Sequence, residues 1–252
     1  MTDLSNRTAV VTGAGTGIGK GIARGLSEQG ARVVISASSN IEGAENLACE
    51  LREQGADIRV VQADLRNATN ATCVVKEAIE AFGHVDILVN NAGRTLAKAF
   101  AECTEQDWDD VMSVNIKSMF MACQAALPGM LEHSWGRIIN ISSVMSHLHA
   151  PNYVIYATTK GAVNEFTRNL AVEIGRDNIT ANVIAPGAIH NERYESENVD
   201  EKRLIKYIPS ASVGTPADIA GAVSYLSSDS ARYVNGAVLF VDGGLTAFMA
   251  IE

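Results

Sequence analysis

The sequence predicts a doubly wound, Rossmann-type α/β fold, with seven parallel strands in one sheet, helices on both faces, and a single domain over 1–252. Three observations predict it. Short apolar runs alternate with helix-patterned stretches from end to end. Those runs are apolar along their whole length, as strands covered on both faces must be. The chain, 252 residues with 47% hydrophobic and 19% charged side chains, is long enough for one sizeable core.

The first strand is Thr8–Thr12, followed by a glycine turn and an amphipathic stretch to Gln29. Arg32–Ser36, Asp57–Gln62 and Val85–Val89 repeat the apolar theme, as do Arg137–Ile141, Thr180–Ile184 and Ala237–Val241. Between them the spacing is helical: Ala162, Phe166, Leu170 and Ile174 fall four apart on one face, and a second long helix is predicted from Trp108 to Glu132. The stretch 188–212 is rich in charge and has no apolar period. It reads as a loop with a short helix on the substrate side, of marginal order, with the character of a lid. No linker, repeat or low-complexity tract divides the chain.

A net charge of −9 argues against a nucleic-acid or anionic-membrane surface, where basic patches supply the affinity. The longest apolar segment, Met119 to Leu131, is interrupted by Gln124, Pro128 and Gly129 and is too short to span a bilayer. Met1 to Arg7 carries no apolar secretory region, so the expected location is cytoplasmic. Cys49, Cys73, Cys103 and Cys123 each fall in a helix-patterned segment, lack metal-site spacing, and are expected to be reduced structural thiols; no metal is expected.

The glycines after the first strand follow the spacing Gly13-x-x-x-Gly17-x-Gly19, with Thr16 and Ile18 between them. A turn of this kind between a strand and a helix lets backbone N–H groups approach a pyrophosphate at the helix N-terminus. The second strand ends in Ala37-Ser38-Ser39-Asn40, with no carboxylate to hold a ribose diol or repel a 2′-phosphate. No arginine stands beside these residues. The composition of the tip favours NADP(H) over NAD(H).

Tyr156 and Lys160 lie four apart, on one helical face. A free phenol titrates near ~10. A fixed cation beside it favours the phenolate, and such a pair can shuttle a proton to or from an alcohol oxygen. Tyr-x-x-x-Lys alone is a chance pattern on an amphipathic helix; its company, Ser142-Ser143 at the end of an apolar strand and the glycine turn, gives it meaning. Ser143 with His147 or His149 does not form a hydrolase elbow, because no G-x-S-x-G surrounds the serine. His147 and His149 could also suggest a metal pair, but two spaced imidazoles in a loop more often face solvent or substrate.

Taken together, Thr12-Gly-x-x-x-Gly-x-Gly19, Asn90-Asn-Ala-Gly93, Asn115, Ser143, Tyr156-x-x-x-Lys160 and Pro186-Gly187 resemble the short-chain dehydrogenase/reductase family over nearly the whole chain. The resemblance implies that Tyr156 is the general acid/base and that Lys160 assists it while binding the nicotinamide ribose. It implies that Ser143 bonds the substrate oxygen and that Asn115 holds a water in a proton relay. A cofactor lining is implied at Gly13, Thr16, Gly17, Ile18, Gly19, Ala37, Ser38, Ser39, Asp64, Leu65, Asn90, Ala92, Gly93, Tyr156, Lys160, Pro186, Gly187 and Ile189. The family often carries Thr four residues after the Pro-Gly glycine, where this chain has Asn191, a side chain that can also donate and accept.

The substrate side is expected to include Ser143, Tyr156, His149, Asn152 and Arg193, the last serving either a substrate carboxylate or the neighbouring Glu192, Glu195 and Glu197. A lining this polar suggests a compact ketone or secondary alcohol such as a sugar, sugar acid, polyol or hydroxy acid. The chain also looks like a 3-oxoacyl–carrier-protein reductase. Against carrier docking, Ser134 and Asp177 stand where two arginines would meet an acidic carrier. A dinucleotide-binding sensor or scaffold without turnover is the reading from another class. Apolar side chains around both long helices, with the resemblance, imply a homotetramer.

Overall fold

The computed structural model describes residues 3–192 and 200–248. Seven strands form one sheet in the order β3-β2-β1-β4-β5-β6-β7, every neighbouring pair parallel. They are β1 (Thr8–Val11), β2 (Arg32–Ala37), β3 (Ile58–Gln62), β4 (Ile87–Asn90), β5 (Gly136–Ile141), β6 (Ile179–Pro186) and β7 (Val238–Val241). Helices α1 (Gly17–Glu28), α2 (Ile41–Glu53), α3 (Thr69–Phe82), α4 (Glu105–Met112), α5 (Ser118–Glu132) and α6 (Val154–Ile174) connect them, with a short α7 (Glu201–Ile205) and α8 (Pro216–Ser227) after β6.

Strand side chains alternate between two cores, which is why the runs had to be apolar throughout. Ala9 and Val11 of β1, with Val33 and Ile35 of β2, meet Ile22 and Leu26 of α1, Leu47 and Leu51 of α2, and Ile219 and Val223 of α8. Val10 and Val34 point the other way, toward Val74 and Ala78 of α3, Met119 and Met130 of α5, and Val163 of α6. The chain leaves β1 for β2 on one side, and β4 lies on the other. That reversal opens a crevice at the carboxyl ends of β1 and β4, where ligands bind in doubly wound sheets.

Two local features depart from the sequence reading. The stretch read as one helix from Trp108 to Glu132 is a composite of α4, a π-helical turn at Ser113–Lys117, and α5. Cys103 lies beyond a 3₁₀ turn in extended backbone, not in a helix. Its neighbour Thr104 begins a capping box with Asp107, and that box ends the extended stretch by starting α4. All four cysteines are free. Among the described residues, no helix is long and apolar enough to cross a membrane.

Candidate functional site

A cleft of about 950 Å³ runs along the carboxyl ends of the strands. Its floor is the turn after β1. Thr12 fastens that turn to the end of β4: its hydroxyl accepts from the Asn91 and Ala92 N–H groups, each at 3.1 Å. The Asn91 amide in return donates to the Thr12 and Gly13 carbonyls, both at 2.9 Å. Gly19 packs so closely that a Cβ there would lie against the Gly13 carbonyl oxygen, the Asn91 amide nitrogen and, at 2.9 Å, the Ala14 Cα. A side chain at this position would close the turn.

The β2 tip forms one end. Ala37 is buried while Ser38 and Ser39 are exposed in the cleft. Asn40 ties the tip to the glycine turn by donating to the Gly15 carbonyl at 3.0 Å, and Gln62 at the end of β3 donates to the Ser38 carbonyl at 3.3 Å. Asp64, Leu65 and Arg66 complete this end. The Arg66 guanidinium bonds the Asp64 carboxylate at 2.5 Å and holds it below the usual carboxylate range. Sequence alone did not single out Arg66, although its neighbours Asp64 and Leu65 were expected in the lining.

Ser143, Tyr156 and Lys160 line the other end, together with Gly93, Arg94, Thr95, Pro186, Gly187, Ile189 and Asn191. Lys160 is buried, its ammonium donating to the Ile141 carbonyl at 2.9 Å and lying 5.6 Å from the Tyr156 ring centroid. Burial lowers the pKa of Lys160, and the charge of Tyr156 acts against that fall. The Ser143 hydroxyl accepts from the Met145 N–H at 3.1 Å, so its own proton is directed elsewhere.

Asn115 sits in the π-helical turn, a distortion frequent at functional sites. Its side chain makes three hydrogen bonds within the protein. The oxygen accepts from the Arg94 N–H at 2.7 Å, and the nitrogen donates to the Arg94 carbonyl at 3.1 Å and to Thr159 Oγ1 at 2.9 Å. Glycine at position 93 keeps the space between two polar groups open: a Cβ there would stand 3.5 Å from the Lys160 nitrogen and 3.7 Å from the Asn115 oxygen.

The other expected residues divide. Gly13, Thr16, Gly17, Ile18, Gly19, Ala92 and Gly93 all border the cleft. Asn90 does not; its amide is buried in the sheet, donating to Asn140 Oδ1 at 2.8 Å and Cys123 Sγ at 3.4 Å. His149 and Asn152 are exposed and lie outside the cleft lining. Arg193, with Tyr194, Glu195 and Glu197, lies outside the described residues. Of the 188–212 stretch, Ile189 bridges to Gly214, His190 Nδ1 lies 2.6 Å from Glu201, and the Asn191 amide donates to the Ile189 carbonyl at 2.9 Å. Among the described residues, no group of three or more His, Cys, Asp or Glu could hold a metal ion.

A family profile described as enoyl-(acyl carrier protein) reductase matches residues 13–246. The chain is 37% identical over 240 residues to the 3-oxoacyl-(acyl-carrier-protein) reductase FabG of Staphylococcus aureus, covering 95% of this chain and 98% of the relative. Its fold superposes with a TM-score of 0.90 on a gluconate 5-dehydrogenase from Burkholderia cenocepacia in complex with NADP and tartrate, at 36% identity and 98% coverage of each chain. A blue fluorescent protein from a metagenomic library in complex with NADPH matches at a TM-score of 0.91 and 36% identity, covering 96% of this chain and 99% of that one.

Proposed function

The chain belongs to the short-chain dehydrogenase/reductase family of oxidoreductases acting on alcohol or ketone groups, and on that premise we propose that it moves a hydride between NADP(H), in preference to NAD(H), and a compact polar ketone or secondary alcohol such as a sugar acid, polyol or hydroxy acid. The observation that carries this reading is the shared cleft: Ser143, Tyr156 and Lys160 line one end of a groove whose middle is a glycine turn and whose far end is a hydroxyl-rich strand tip.

The residues fit a nicotinamide dinucleotide. Gly13, Gly17 and Gly19 leave the α1 N-terminus free of side chains where a pyrophosphate would bind, and the Gly17 N–H already donates to an anion, the Glu192 carboxylate, at 2.9 Å. Ser38 and Ser39, with Arg66 across the cleft, suit a 2′-phosphate, and no carboxylate stands at Ala37. The bound dinucleotide supplies or accepts the hydride. Tyr156 gives the proton to the substrate oxygen in reduction and takes it in oxidation. Ser143, its acceptor side used by the Met145 N–H, donates its own proton to the same oxygen and stabilises the charge that develops there. The Lys160 side chain lies beside the tyrosine, its nitrogen 5.6 Å from the ring centroid, and in its ammonium form has two N–H donors beyond the one given to Ile141. Asn115 positions: its side chain fixes the Arg94 backbone and Thr159, and its oxygen keeps one acceptor site for a relayed water.

Polar residues at the substrate end, Arg94, Thr95 and Asn191, support a polar substrate, and a structural relative solved with tartrate at this fold is in keeping with it. The likeness to FabG favours a second reading, reduction of a 3-oxoacyl thioester on a carrier protein. Ser134 and Asp177 offer no positive charge to such a carrier, and they precede β5 and β6, at the sheet edge opposite the cleft. A panel of sugar acids, polyols, hydroxy acids and an acetoacetyl thioester, assayed with both dinucleotides, tests the choice. The expected result is turnover of a polar acid or polyol with NADP(H). Thioester reduction alone selects the second reading, and tight dinucleotide binding with no turnover of any compound selects a sensor.

A further inference from the structure

The hydrogen bond from the Gly17 N–H to the Glu192 carboxylate joins residues 175 apart in sequence. Gly17 is the first residue of α1, held at φ 51°, and its amide is one of the donors that a helix start leaves without an intrahelical partner. An anion is favoured there by the helix dipole as well. The segment carrying Glu192 comes down directly onto the turn: a Cβ at Gly17 would stand 3.2 Å from the Asn191 Cβ and 3.7 Å from the Glu192 oxygen. The base of that segment is fixed to the body of the fold, since Gly214 donates to the Ala188 carbonyl at 2.9 Å and accepts from the His190 N–H at 2.8 Å.

We propose that Glu192 competes with the dinucleotide for the phosphate turn, so that binding the dinucleotide requires the Glu192 carboxylate to leave the Gly17 amide. This inference rests on the reading of the glycine turn as a pyrophosphate site. One N–H cannot serve a carboxylate and a phosphate oxygen at once, and the two anions repel at contact distance. The carboxylate is therefore a resident stand-in for a phosphate oxygen, and it sets part of the affinity for the dinucleotide. Its position on the segment after β6 also couples the cofactor end of the cleft to the substrate side: the chain that borders the substrate end cannot hold this position while the pyrophosphate is bound.

Direct binding, read by NADPH fluorescence and by tryptophan quenching with NADP, tests the proposal on the wild type and on two single variants. Glu192→Gln removes the charge at the turn. Glu201→Gln removes the same charge from α7, where Glu201 pairs with His190 and not with the turn. Glu192→Gln should lower the NADPH Kd by about three- to fivefold, the scale of an exposed anion at a helix start, and Glu201→Gln should leave it unchanged. A Kd for Glu192→Gln equal to or weaker than that of the wild type overturns the proposal, as does equal tightening by Glu201→Gln, which would assign the effect to overall charge. A wild type that binds neither NADPH nor NADH overturns the pyrophosphate reading itself, and the proposal with it. A wild type that binds while Glu192→Gln changes nothing overturns only the role of Glu192.

Discussion

Lys160 of α6 donates to the carbonyl of Ile141, the last residue of β5, at 2.9 Å, and the Ser142 hydroxyl next to that strand end donates to the Lys160 carbonyl at the same distance. Helix and strand are stitched in both directions. The ammonium is therefore held by the strand end from which Ser143 projects, and the geometry of the serine, tyrosine and lysine is built into the sheet rather than into a loop.

Burial makes this lysine a reporter of its own environment. Its pKa in the fold lies below the ordinary 10.5. Between the two values the unfolded chain binds more protons than the folded one, so this group makes stability rise with pH. Lys160→Met removes that increment. Urea unfolding of both proteins without added dinucleotide, from pH 7 to 10, should show wild type gaining on the variant as pH rises. A constant difference across that range would mean that the Lys160 pKa is not lowered into it.

Tyr156→Phe removes one oxygen that takes part in no hydrogen bond described for the fold, so folding should be untouched. Turnover should drop by about 10²- to 10⁴-fold, the range of a lost general acid. The NADPH Kd should hold, because the phosphate turn lies at a distance from the phenol. Activity retained above a few per cent of wild type would remove Tyr156 from proton transfer.

The seven strands and the helices on both faces of the sheet were legible because each rests on a local pattern: an apolar run of fixed length, or a helical period such as Ala162, Phe166, Leu170 and Ile174. What stayed hidden depends on contacts between distant segments. Arg66 shares the cleft lining with the β2 tip through the pairing of β2 with β3. Glu192 meets Gly17 only through the fold of the chain after β6. Asn90 looks like a cleft residue in sequence because its neighbours Asn91, Ala92 and Gly93 are; the alternation of side chains along β4 turns it into the sheet, onto Asn140 and Cys123. The π-helical turn at Asn115 leaves no mark in the hydrophobic period, which continues from α4 into α5.

The dinucleotide preference should be set at the strand tip. Ala37 is buried beside the exposed Ser38 and Ser39 in the cleft lining, and on the proposed reading a carboxylate introduced there would face a 2′-phosphate. Ala37→Asp should move the NADPH-to-NADH ratio of kcat/KM toward NADH by about tenfold or more, the effect of ~1.4 kcal/mol. Arg66→Ala should weaken NADPH more than NADH. A wild type that already prefers NADH in kcat/KM would refute the hydroxyl-pocket reading.

Thiol chemistry should separate the cysteines by burial. Desolvation pushes the Cys123 thiol up to about 12, whereas Cys49 and Cys73 are exposed. The thiolate is the reactive form. Labelling with iodoacetamide at pH 8, mapped by mass spectrometry, should modify Cys49 and Cys73 in the native protein and Cys123 only after denaturation. Native labelling of Cys123 at a rate like that of Cys49 would mean that α5 opens readily from β4.

The last expectation concerns assembly. Trp108 on α4 and Phe120 on α5 are each 43% exposed, and Val172 on α6 is 84% exposed. Phe120 meets Phe166 of α6 edge-on, ring centroids 6.4 Å apart, so apolar side chains of α5 and α6 adjoin at the surface. Surfaces of this kind on neighbouring helices are covered by a partner. At the far edge of the sheet, β7 leaves Leu239 38% exposed beside unpaired backbone groups, a second face that a twofold axis can close. Two different self-complementary faces on one chain generate a tetramer. Light scattering should therefore return about four times the 26.7 kDa chain mass. Phe120→Glu, which places a charge at the centre of the α5–α6 face, should reduce the assembly to dimers held through β7 without loss of helical content. A wild type that scatters as a stable single chain at micromolar concentration would refute both faces at once, and a tetramer unmoved by Phe120→Glu would refute the α5–α6 face alone.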